Sequence, residues 1–121
     1  MLKDITVLFV EDVQFTHELM KLLLEDDIKE LYLASNGKEG LEVYKDKNPD
    51  VILTDIGMPI MDGIEMSREI KRLNPNQLIA VITAFNEKSY MEEAKKIGID
   101  KYILKPIEKD SIFGVLESFA S

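Results

Sequence analysis

The chain has 121 residues, 45% hydrophobic and 31% charged, a balance that suits one folded core and excludes a disordered chain. A formal net charge of −8 with scattered basic residues excludes a general nucleic-acid binder, and the absence of cysteine excludes a disulfide framework or a thiolate metal site. No apolar run approaches the roughly 18 residues that cross a bilayer, and the N-terminal "MLKDITVLFVEDV" lacks a basic region and a cleavage site, so a cytoplasmic protein with no membrane partner is expected.

The elements alternate. Residues 5 to 10, "ITVLFV", form an unbroken apolar or β-branched run, as in a strand covered on both faces. In "DVQFTHELMKLLLEDD" the period changes: Phe15, Thr16, Leu19, Met20, Leu23 and Leu24 recur at helical spacing, while Gln14, His17, Glu18, Lys21 and Glu25 fill the opposite stripe. His17 reads as solvated. "LYLAS" is a second strand and "NGKEGLEVYKDKN" a helix that opens on the cap-like Asn36 and closes before Pro49. "VILTDI" is the third strand, followed by a turn over residues 57–63 and the helix "IEMSREIKRLN". In that turn Asp62 reads as a cap, and Met58, Met61 and Met66 as turn and core packing. "LIAVITA" is a fourth strand, "NEKSYMEEAKKIG" a helix ended by Gly98, "KYILK" a fifth strand and "EKDSIFGVLESFA" the last helix. Five strands alternating with five helices imply right-handed crossovers and a five-stranded parallel sheet, doubly wound, with helices on both faces.

Such sheets bind ligands at the carboxyl ends of their strands, beside the topological switch point. Five polar residues are predicted there: Glu11 and Asp12 after the first strand, Asp55 near the end of the third, Thr83 ending the fourth and Lys105 ending the fifth. Asp55 alone would read as a turn or cap residue, but capping does not explain four charged groups on one rim. Crowded carboxylates stay ionised only with a cation between them, and oxygen donors without His or Cys favour Mg²⁺. Asp55 would then be both metal ligand and nucleophile, able to accept a phosphoryl group as an aspartyl phosphate, with Lys105 and Thr83 as donors to its oxygens.

These residues resemble the receiver domain of bacterial two-component response regulators, a flavodoxin-like, CheY-like family. The likeness spans the chain, through "VLFVEDV", "TDIGMPIMDG", "VITA" and "YILKP". Each piece is weak alone; together, in this order and spacing, they are highly specific. The resemblance implies residues 1–121 as a single receiver domain, with Glu11, Asp12, Asp55 and the Gly57 backbone carbonyl on Mg²⁺ and Asp55 as phosphoacceptor. It implies Thr83 and Lys105 at the phosphoryl group, a commonly cis Lys105–Pro106 bond, and Tyr102 coupled to Thr83 as the conformational switch. Implied partners are a histidine kinase or phosphotransfer protein, chosen through surface residues such as Gln14, Phe15, His17 and the loop after Pro106, and an output protein or a further output domain. A phosphorylation-linked homodimer is compatible with the family.

Gly57, without a side chain, and Phe85, bulky and apolar, depart from the commonest pattern or vary within the family, at positions tied by resemblance to phosphoryl lifetime. Two rival readings use the same fold. A Mg²⁺-dependent phosphohydrolase would carry a second aspartate where Gly57 stands, and a phosphorylation-independent interaction module would not need the intact acidic set. A dinucleotide binder would show Gly-x-Gly-x-x-Gly after the first strand, and none is present. The end at Ser121 suits a single-domain regulator slightly better than a module cut from a longer protein.

Overall fold

Unbroken apolar runs become strands covered on both faces, and the computed structural model, which describes residues 2–84, 87–99 and 101–120, arranges them in one parallel sheet. A 3₁₀ turn, Leu2–Asp4, leads into β1 (Thr6–Val10), α1 (Gln14–Leu24), β2 (Glu30–Ala34), α2 (Gly37–Lys47) and β3 (Val51–Asp55). There follow α3 (Gly63–Leu73), β4 (Leu78–Thr83), α4 (Lys88–Lys96), β5 (Lys101–Leu104) and α5 (Lys109–Ala120). The strand order is β2-β1-β3-β4-β5, so the winding reverses at β1 and opens a cleft beyond the carboxyl ends of β1 and β3. This is the doubly wound, flavodoxin-like fold expected from the sequence. Among the described residues no helix is long and apolar enough to cross a membrane.

Side chains alternate across the sheet and build a core on each face. Leu8, Val10, Ile52 and Val81 meet Tyr44 of α2, Ile64, Met66 and Ile70 of α3 and Ala94 of α4. Val7, Phe9, Leu53, Ala80 and Ile82 meet Met20 and Leu24 of α1 and Ile112 and Leu116 of α5. Each of the Val, Leu, Ile, Phe and Met side chains contributes about 1.5–3 kcal/mol through burial, which fixes strand register and therefore the position of every strand end.

Local signals set the helix boundaries. The Asn36 side chain accepts a hydrogen bond from Glu39 N–H at 2.9 Å, and the Glu39 carboxylate accepts one from Ser35 N–H. Asp62 caps α3 by accepting from Glu65 N–H at 2.8 Å, the role its sequence context suggested. Gly98, at φ +97°, ends α4 in a conformation that favours glycine.

The rotation of α1 differs from the expectation. Phe15, placed on the apolar stripe by its spacing, is 76% exposed, and His17, read as solvated, is buried with Met20 and Leu24. A stripe at positions 17, 20 and 24 is as helical as the predicted one. It prevails because the His17 ring finds both apolar contact and hydrogen-bond acceptors beneath it. His17 is thereby also removed from the surface residues expected to meet a kinase.

Candidate functional site

The register of β1 and β3 sets Val10 level with Thr54, so the next residues, Glu11 and Asp55, emerge side by side. Glu11 and Asp55 are buried and Asp12 is exposed, yet carboxylate oxygens of all three lie within 4.8 Å of one another. Asp12 does not cap α1; that position is Val13, without a side-chain cap bond. Burial, followed by a hydrogen bond to Asp55 and its negative charge, pushes the Glu11 carboxyl up to about 8.

A cation from the far edge of the sheet answers these acids. Lys105 Nζ lies 3.2 Å from both Asp55 oxygens. Its backbone N–H donates to Thr83 O at 2.9 Å, which ties the ends of β4 and β5 together, and the Lys105–Pro106 bond is cis as the resemblance implied. Ile56 N–H donates to Asp55 Oδ1 at 2.8 Å and fixes the carboxylate from the opposite direction.

The other predicted residues take distinct places. Thr83 is fully buried at the end of β4, and its hydroxyl donates to Ala84 O at 3.2 Å. Tyr102 lies level with Val81 in β5, and its hydroxyl lies 3.2 Å from Met91 O and 3.1 Å from Ile99 O, joining β5 to α4. Gly57 is exposed, and a Cβ added there would meet nothing within 4 Å, so the approach to Asp55 is open on that side. Phe85 lies outside the described residues.

Gly63 belongs to this site although the sequence reading gave it only a place in the turn. A Cβ on Gly63 would stand 2.0 Å from Asp55 O and 2.9 Å from Thr54 Oγ1, so only glycine lets α3 seat against the strand that carries Asp55. Its signal was the Asp-Gly pair that opens the helix.

Three oxygen donors, two of them buried side by side, fit a hard divalent cation, which would offset the burial and the neighbouring Asp55 carboxylate that keep a proton on Glu11. A doubly wound parallel sheet with three carboxylates and a lysine converging at its switch point defines the class: a small α/β domain with an acidic cleft at its strand ends. Residues 7–117 match the family described as the response regulator receiver domain, and the chain belongs to that family, as a CheY-like receiver of two-component signalling. The family is a signalling domain rather than a turnover enzyme. The chain is similar to the chemotaxis protein CheY of Halobacterium salinarum, 38% identical over 110 residues that cover 91% of this chain and 92% of that protein. It is 34% identical over 110 residues to the transcriptional regulatory protein ZraR of Klebsiella oxytoca, covering 91% of this chain and 25% of that longer protein. Among solved structures, the N-terminal domain of an uncharacterized protein from Wolinella succinogenes superposes with a TM-score of 0.89 at 34% identity, covering 96% of this chain and 94% of that one.

Proposed function

We propose that this chain, as one receiver domain, is a phosphorylation-dependent switch that takes a phosphoryl group from a histidine kinase or phosphotransfer protein onto Asp55. The observation that carries this reading is the Lys105 ammonium 3.2 Å from both Asp55 oxygens, with the Glu11 and Asp12 carboxylates alongside. An Asp55 oxygen attacks phosphorus, the bond from phosphorus to the donor breaks, and the group remains as an acyl phosphate. Glu11, Asp12, Asp55 and the Gly57 carbonyl would hold Mg²⁺, which would supply positive charge to offset that of the transferring group. Lys105 moves from the carboxylate to a phosphoryl oxygen. Thr83 gives up its bond to Ala84 O and donates to another. Water attack at phosphorus later resets the site, with access favoured by the bare Gly57 side.

Withdrawal of the Thr83 hydroxyl changes the packing space between β4 and β5, where Tyr102 faces Val81. Tyr102 bonds α4, so its rearrangement passes the added charge to the surface of α4, β5 and α5. That surface engages an output protein, a second copy of the chain or a further domain.

The test is intact mass after incubation with Mg²⁺ and acetyl phosphate. A gain of about 80 Da is expected. It should vanish in Asp55→Asn and on chelation of the metal. Failure both to form the adduct and to bind beryllofluoride would favour the phosphorylation-independent module instead.

A further inference from the structure

His17 is the chain's only histidine, and it lies beneath the acidic pair instead of on the surface. Its Nε2 is 2.7 Å from Glu11 O and 3.2 Å from Ala34 O. Both neighbours are pure acceptors, so Nε2 carries the proton and donates to them. The ring stands edge-on to buried Phe9, with centroids 5.9 Å apart and planes at 69°, which locks its rotamer.

The partners of that proton matter. Ala34 O also accepts from Glu11 N–H at 3.0 Å, so the end of β2 holds Glu11 by its amide while His17 holds it by its carbonyl. That carbonyl belongs to the peptide plane joining Glu11 to Asp12. Rotation of that plane about the Glu11 Cα–C bond would swing the Asp12 Cα, and with it the Asp12 carboxylate, away from the Glu11 side chain. No side chain caps α1 to prevent this, and the bond from Val13 N–H to Glu11 Oε1 is long at 3.3 Å.

We propose that His17 is a positioning residue for cation binding: by fixing the Glu11–Asp12 peptide plane to the end of β2, it presets the two carboxylates for Mg²⁺. It touches neither the cation nor the phosphoryl group, and the inference rests on the metal-dependent reading given above. An N–H aimed at a ligand-bearing segment organises a metal site by removing alternative ligand geometries before the ion arrives.

The test is calorimetric Mg²⁺ titration of the whole chain as native, His17→Leu and His17→Gln, with circular dichroism and thermal melts of each. Leucine keeps apolar bulk against Phe9 but leaves Glu11 O without its donor; glutamine carries an N–H to the same place. His17→Leu is expected to raise the Mg²⁺ Kd about tenfold or more, with the acetyl phosphate reaction rate at saturating Mg²⁺ within about twofold of native. His17→Gln should stay within about threefold of the native Kd. A native chain that binds no Mg²⁺ overturns the metal-dependent reading itself. Tight native binding that His17→Leu retains, or loses no more than His17→Gln does, overturns the positioning role alone. Should His17→Leu fail to fold, ¹H–¹⁵N spectra of native protein decide: the ring must be the Nε2–H form, with a resonance that shifts on Mg²⁺ saturation. An unprotonated Nε2, or a resonance that does not move, overturns the proposal.

Discussion

Glu11 and Asp55 leave adjacent parallel strands at the same level, both buried, with carboxylate oxygens within 4.8 Å of each other. A Glu11 carboxyl held protonated by burial beside Asp55 would make cation binding at this pair a proton-releasing event.

The Glu11 carboxyl titrates near 8 in the cation-free fold against an ordinary 4.5, so the native state binds more protons than the unfolded chain across that window. Its contribution to stability is full below the lower value and is lost as pH rises through the upper one. Melts in chelator should therefore show a fall in Tm between pH 5 and 8 that Glu11→Gln flattens. Calorimetry at pH 7 in buffers of different ionisation enthalpy should show about one proton released per Mg²⁺ bound.

On the metal-dependent reading, Lys105, 3.2 Å from both Asp55 oxygens, would compete with a divalent cation for the same carboxylate. Removing the ammonium in Lys105→Ala should tighten Mg²⁺ binding by about two- to fivefold, because a like charge leaves the site. The same change should slow acetyl phosphate labelling by about 10²-fold, because the transferring oxygens lose a preorganised donor. Titration and timed intact mass check the two arms, and a parallel loss of both would mean that Lys105 only supports the fold.

The two glycines flanking the Met-Pro turn should respond in opposite ways. Gly63→Ala drives a methyl group into the Asp55 carbonyl, 2.0 Å away, and should cost about 2 kcal/mol or more while displacing Asp55. Gly57→Ala meets open space and should leave the urea midpoint within about 0.5 kcal/mol of native. Denaturant curves of the two variants separate these cases.

Ser67, on the buried face of α3, has a hydroxyl without a hydrogen-bond partner among the described residues. Replacing it with alanine removes an unsatisfied buried group and adds helix propensity, so Ser67→Ala should stabilise by about 1 kcal/mol. A Tm higher by about 4 °C is the expected reading. A drop would point to a partner that the Ser67 hydroxyl meets only in solution, such as a buried water.

The sheet was legible because strands covered on both faces need long apolar runs, and "ITVLFV" or "VILTDI" cannot satisfy a half-exposed strand. Glu11, Asp12, Asp55, Thr83 and Lys105 were legible as rim residues because a parallel sheet sends all its carboxyl ends one way. The rotation of α1 was not. Stripes centred on Leu19 and on His17 are equally periodic, and the choice depends on carbonyls of Glu11 and Ala34 that only the folded sheet brings together. The tight fit at Gly63 was hidden for a related reason, since a glycine in a turn motif looks the same whether it needs φ freedom or empty space. The Thr83 hydroxyl on Ala84 O and the Tyr102 hydroxyl between Met91 O and Ile99 O depend on rotamers, which residue spacing does not encode.

The glycine seam between β3 and α3 has a mechanical consequence. Gly63 N–H donates to Ile56 O at 2.8 Å while its Cα rests against the Asp55 backbone, so strand and helix move as one body. α4 buries only Ala94 where α3 buries five residues, and its other ties are the Tyr102 hydroxyl on Met91 O and the Arg68–Glu93 ion pair, too exposed to contribute much. One half of the domain is therefore an anvil and the other a spring, and amide exchange should run slower in α3 than in α4. A charge added at Asp55, as the proposed phosphoryl transfer would add it, would strike the anvil, and its displacement would emerge through the spring.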